Sequence, residues 1–226
     1  MPKLTGSIGL DVYRLAKAGL IDEARLRIRR FFADEQGQIA HLFLEDKWGG
    51  TPFSLWAEAG RDELLEELPL KELPWTPHLA AAWGQLDVVR AFWEADREAV
   101  LAWKWRGNAM HWALNYNRLE VARWLAKRGF DVAGTDSGHG YVACAAFSRQ
   151  EAAIRLAVEM GAAVDFGARA ALHHECNHGW VKLVPVLLEL GADPNRPGPD
   201  GSTPIQLAEK KGKNSKLAKL LRAAAR

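Results

Sequence analysis

Residues Asn108–Val132 read NAMHWALNYNRLEVARWLAKRGFDV, and their spacing predicts two short helices back to back. Asn108 is suited to cap the first, because its side-chain oxygen accepts from the orphan N–H groups of the opening turn. Met110, Ala113 and Leu114 then fall at i, i+3 and i+4, a helical apolar stripe. Asn117 supplies the left-handed residue that ends the helix, a conformation Asn adopts more easily than any residue but glycine. Val121, Trp124 and Leu125 repeat the stripe on a second helix, and Gly129 stops it. Neither helix buries its apolar face alone, so the unit requires neighbours.

The neighbours recur along the chain. Positions equivalent to His111 are His78, Ala143, His173 and Gln206, and the stop of the first helix recurs at Gly60, Gly84, Asn117, Arg149, Gly179 and Gly212. A period near 33 residues built from a helix pair and a turn is the mark of one repeat class. Thr203-Pro204-Ile205-Gln206-Leu207-Ala208, Thr51-Pro52-Phe53, Met110-His111-Trp112-Ala113, Leu172-His173 and the turn Gly191-Ala192-Asp193-Pro194-Asn195 carry it. On these residues the chain resembles the ankyrin-repeat family, over nearly its whole length. The resemblance implies an all-α solenoid of about seven helix-turn-helix repeats, the first and last acting as caps.

The expected repeats span about residues 8–32, 49–73, 75–105, 106–136, 138–166, 168–199 and 200–226, as one repeat domain over 1–226, with an insertion near 33–47. Within the insertion, Ile39–Leu44 is a short apolar run that fits a lengthened finger, an extended segment or an extra helical turn. Periodicity over so few residues does not separate them. Arg25, Arg27, Arg29 and Arg30 are expected on the solvated face of the N-terminal cap, since a terminal repeat must present a polar side to water. Leu86, Val88, Val89, Phe92 and Trp93 are expected core of the third repeat. Asp96 replaces the glycine that should close that repeat, and Pro185 is expected to kink the second helix of the sixth.

A formal net charge of +2 with 26% charged residues is too even to indicate nucleic acid, and no run approaches the ~18 apolar residues of a membrane span. The first residues, MPKLTGSIGLDVYR, contain no apolar h-region of a signal peptide. Cys144 and Cys176 fall at non-equivalent places in adjacent repeats, which favours two buried thiols over a disulfide and a reducing compartment. The expectation is a cytoplasmic monomer without nucleic acid, membrane or cofactor.

His174-Glu175-Cys176-Asn177-His178 matches HExxH, a spacing that places two imidazoles on one helix face with a carboxylate as general base. Repeat register explains the same residues as a short helix ending at Gly179, and Val181 and Lys182 follow where a third ligand would be sought. A zinc-dependent hydrolase is therefore the weaker alternative, and no metal site or catalytic residue is assigned. Glu175→Ala, toward the small residue the repeat favours there, is expected to be neutral or stabilising. His78, His111 and His173 read as structural, in keeping with the resemblance.

The resemblance also implies that residues preceding each Thr-Pro, and the two before each first-helix stop, line a concave partner-binding face. Carried over, these are Lys47, Trp48, Glu58, Ala59, Ala82, Trp83, Lys104, Trp105, Arg106, Asn115, Tyr116, Asp136, Ser137, His139, Phe147, Ser148, Arg169, Asn177 and His178. Trp48, Trp83, Trp105, Tyr116 and Phe147 would then be exposed in successive repeats, as interface hot spots are. Trp56, Trp93 and Trp124 are expected in the core. The implied function is non-enzymatic binding of a protein partner in the groove around repeats two to five. An immunity-type protein that neutralises a cognate enzyme is the narrower alternative.

Overall fold

The computed structural model describes residues 7–33, 39–44, 51–103, 107–132, 140–147, 149–167, 170–212 and 215–225. The chain divides into two compact units, Met1–Trp105 and Arg106–Arg226, at the boundary read from sequence between the third and fourth repeats. Residues 1–105 carry 13 Lys and Arg against 17 Asp and Glu, and residues 106–226 carry 17 against 11. The near-neutral total therefore hides one unit of net −4 and one of net +6. Among the described residues, no helix is long and apolar enough to cross a membrane.

In the first unit, α1 (Ile8–Lys17) and α2 (Ile21–Ala33) form an antiparallel pair, and α1 also packs on α3 (Pro52–Ala59). Gly9 lets α1 approach, since a Cβ there would stand 3.0 Å from Pro52 Cβ. The Trp56 indole N–H donates to Gly9 O across the same contact at 3.1 Å. Thr51 caps α3 through a reciprocal pair with Ser54, and Pro52 takes the first turn, where its missing N–H breaks no helix bond. Residues Ile39–Phe43 form a 3-10 helix with Leu42 buried and the Phe43 ring 5.2 Å from Phe53, which selects the extra helical turn among the three readings of the insertion.

The arginines of α2 do more than face water. A second 3-10 helix, Asp62–Glu67, lies against α2. Arg29 Nε and Arg25 Nε both donate to the Glu67 carboxylate at 2.6 Å, and Arg25 reaches Glu66 at 2.9 Å. The Arg29 hydrogen bond, with Arg25 beside it, holds the Glu67 carboxyl at about 2. Arg27 pairs with the buried Asp11 at 3.7 Å. The third repeat follows as α4 (Pro77–Trp83), whose residues are all buried, and α5 (Leu86–Ala95). Val89 and Trp93 of α5 are buried, while Leu86, Val88 and Phe92 are only half-buried. Asp96 replaces the closing glycine because it caps a further short helix, α6 (Arg97–Leu101), accepting from Ala99 N at 3.0 Å.

In the second unit the first helices of successive repeats, α7 (Ala109–Asn115), α9 (Tyr141–Phe147), α11 (Ala171–His178) and α13 (Pro204–Lys211), pack one on the next as an inner row. Their partners, α8 (Leu119–Lys127), α10 (Glu151–Glu159), α12 (Val184–Glu189) and α14 (Lys216–Ala224), lie outside them. Asn108 caps α7, and Asn117 and Arg149 take φ of +59° at the stops of α7 and α9, in place of glycine. Pro185 does not kink its helix. It lies in the first turn of α12, which simply starts later. Trp124 is not core: Val121 and Leu125 are buried beside it, but its own ring is half-buried under the Arg128 guanidinium.

Candidate interaction surface

Trp83 is the clearest departure from the expected groove. It is 1% exposed, stacked 4.9 Å from Phe53, with its indole N–H donating to Phe53 O at 3.1 Å. Ala82 is buried as well. The indole reaches back onto α3, where it covers apolar surface and satisfies its one donor together. Glu58 is exposed, but it accepts from Tyr13 Oη at 2.9 Å. In the second unit Asn115 and Tyr116 are half-buried, Tyr116 stacking on Trp112 at 5.6 Å. Lys47, Trp48, Lys104, Trp105, Arg106, Asp136, Ser137, His139, Ser148 and Arg169 lie outside the described residues.

Phe147 and His178 are brought together. Phe147, at the end of α9, is 46% exposed and meets His174 edge-on at 4.6 Å. His174 and His178 stand one turn apart on α11, their rings 4.4 Å from each other. Gly179 turns the chain left-handed at φ +72°, and this carries Trp180 back against His178, stacked at 4.5 Å and 38% exposed. The Arg149 guanidinium also lies on the Trp180 indole, 4.3 Å from its centre. Three rings from two adjacent inner helices, with Trp180 just beyond the second, thus form one continuous ledge.

Arg149 also anchors the ledge from below. Its Nη1 donates to Glu175 Oε1 at 2.6 Å, and the Glu175 side chain is 0% exposed. Burial pushes the Glu175 carboxyl up, while the Arg149 charge and hydrogen bond pull it back. The sequence expectation that Glu175→Ala is neutral or stabilising took no account of this pair. Removing Glu175 would leave a cation that stacks on Trp180 without its counter-charge. Lys182 adds a third tie, donating from Nζ to Arg149 O at 3.0 Å. Sequence reasoning missed Trp180, Arg149 and Lys182. Arg149 was visible only as an imperfect helix stop, whereas its side chain is what the neighbouring repeat uses.

The HExxH string has a different geometry from a zinc hydrolase site. Glu175 is committed to Arg149, and His178 Nδ1–H donates to His174 O at 2.9 Å. Among the described residues, no group of three His, Cys, Asp or Glu is placed to hold a metal ion. The recurring histidines are buried and local. His78 Nε2–H donates to Ala102 O at 2.9 Å, and His111 Nδ1–H donates to Asn108 Oδ1 at 2.7 Å with its ring 4.2 Å from Tyr141. Burial lowers the pKa of His173, which packs beside the turn at Gly198. Cys144 and Cys176 are free and buried, their thiols pushed up to about 12 by burial.

Short helix pairs with capped, proline-started first helices and left-handed stops define a helical-repeat protein, and the fold is the ankyrin-repeat fold. The chain is similar to the crystal structure of the ankyrin repeat domain of Bcl-3, described there as a unique member of the IκB protein family. The two agree with a TM-score of 0.52 at 20% identity, over 93% of this chain and 97% of that one. No protein-family model and no curated protein matches the sequence.

Proposed function

We propose that the protein is a non-enzymatic interaction module that binds a partner protein through the ledge of Phe147, His174, His178 and Trp180. The observation that carries this reading is the exposure of Phe147 and Trp180 inside a pre-ordered ring cluster. Large rings held rigidly at a surface lose little entropy on contact, and few such residues supply most of an interface's energy. The ankyrin-repeat fold supports the reading, since its stacked repeats build extended binding surfaces from side chains on the inner helices.

The test is a paired measurement on Phe147→Ala/Trp180→Ala. Truncating one such anchor costs a complex ~2 kcal/mol or more, a loss of about thirtyfold in affinity. The double variant should lose capture of the partner from native cells while its thermal unfolding stays near that of the parent. A partner retained in full by the double variant would place binding elsewhere.

A further inference from the structure

The charges around the ledge narrow the partner's chemistry. Lys182 and Lys211 are exposed, and neither has an ion-pair partner among the described residues. Lys211 lies beside the turn that carries Trp180: its Cγ is 3.9 Å from where a Cβ on Gly179 would stand. The acid of α11, Glu175, is buried beneath Arg149 and offers nothing to solvent. The unit as a whole carries net +6.

We infer that the ledge receives an acidic segment of a partner protein, with its carboxylates on Lys182 and Lys211 and an apolar side chain against Phe147 and Trp180. The inference rests on the binding role proposed above and adds the chemical class of the ligand. Two ligand classes suit cations beside aromatic rings, and the ring geometry separates them. Single-stranded nucleic acid stacks bases on open ring faces. Here the Trp180 indole is already covered by the His178 imidazole and the Arg149 guanidinium, and Phe147 meets His174 at 82°. The perpendicular contact leaves a face of Phe147 open, but that is one ring, enough for an aliphatic or aromatic side chain and short of the run of platforms on which a strand stacks successive bases. Lys182 keeps two of its three N–H donors for a ligand, since one goes to Arg149 O.

The probes are short fluorescein-labelled peptides with a central Leu, flanked by Asp and Glu, by Ser and Gln, or by Lys, together with single-stranded oligothymidylate. Fluorescence anisotropy should show the acidic peptide binding best and weakening with salt, because exposed charges are screened over ~8 Å at physiological ionic strength. Lys182→Gln/Lys211→Glu should weaken it by about tenfold, equal to ~1.4 kcal/mol, with unchanged thermal unfolding. Equal binding of the neutral or basic peptide, preference for the oligonucleotide, or no binding of the acidic peptide overturns the inference. Native partner capture distinguishes the two levels. If capture is lost in Phe147→Ala/Trp180→Ala but kept in Lys182→Gln/Lys211→Glu, the binding role stands and the acidic ligand does not. If both variants keep it, the ledge itself is wrong.

Discussion

Arg149→Ala should destabilise the second unit by ~3–5 kcal/mol at neutral pH, the cost of stranding a buried charge when its partner is removed. The full range applies because the Glu175 side chain is 0% exposed, whereas Arg149 is 33% exposed. The reverse deletion is cheaper, since an unpaired Arg149 can turn to water. Glu175→Ala should cost ~1–3 kcal/mol, mostly for lost packing and the lost hydrogen bond, in place of the neutral effect read from sequence. Glu175→Gln keeps an acceptor for Arg149 and should lie within ~1 kcal/mol of the parent. In the Arg149→Ala background, however, it removes the stranded charge and should restore ~2 kcal/mol.

Two further measurements make this reasoning refutable. Arg149 sits at φ +59°, so Arg149→Gly should be about 1 kcal/mol more stable than Arg149→Ala, because only the Ala variant keeps a Cβ in left-handed backbone. Burial already raises the folded pKa of Glu175, and losing Arg149 raises it further. A raised carboxyl pKa means the folded state binds the extra proton. Stability from this group is therefore fully present below the unfolded value near 4.5 and is lost as pH rises through the folded pKa. The Arg149→Ala deficit should thus shrink as pH falls from neutral toward that value. Urea denaturation followed by tryptophan fluorescence at several pH values reads all of these. An Arg149→Ala deficit under ~0.5 kcal/mol, or one that Glu175→Gln does not relieve, would show that the pair is not a buried charge contact.

Trp83→Ala should cost ~3–5 kcal/mol of stability in the first unit, as a buried indole does. It should exceed Trp124→Ala, the reverse of the order expected from sequence; thermal and urea unfolding of the two variants decides it. Acid should weaken the Arg25–Arg29–Glu67 contact. Its carboxyl is depressed from 4.5 to about 2, so its contribution is present above the unfolded value and is lost as pH falls from about 4.5 through about 2. Glu67→Gln should flatten that part of the stability–pH curve, and an unchanged acid limb would show that other carboxylates control it.

Local rules were enough for the elements. Thr-Pro starts at Thr51, Thr76 and Thr203, the Asn108 cap and the left-handed stops at Gly60, Gly84, Asn117, Arg149 and Gly179 are all properties of a few adjacent residues. A repeat multiplies each signal, so register survives a copy such as the fifth, where Arg149 stands at the stop in place of glycine. Lengths between repeats were less legible. Asp96 looked like a failed glycine because the helix it caps, Arg97–Leu101, belongs to no repeat template. Pro185 was misread for the same reason: the template supplied a longer helix than this repeat builds.

Side-chain direction was harder to read than position. Trp83 and Phe147 occupy comparable places before a first-helix stop, yet one is buried and the other is half exposed. The difference lies in what each ring finds on a neighbouring helix. Trp83 finds both the ring and the carbonyl of Phe53 on α3, so its apolar body and its N–H are satisfied by one residue. Phe147 meets His174 nearly perpendicular, at 82°, and that contact leaves it 46% exposed. A template assigns both rings to the groove because it counts along one chain segment, whereas exposure is decided by the repeat beside it. The same reasoning makes Arg149 and Trp180 the residues to vary first. Both shape the ledge across the boundary between the fifth and sixth repeats, but only a change at Trp180 keeps the Arg149–Glu175 pair, so Trp180 reports on binding and Arg149 on folding.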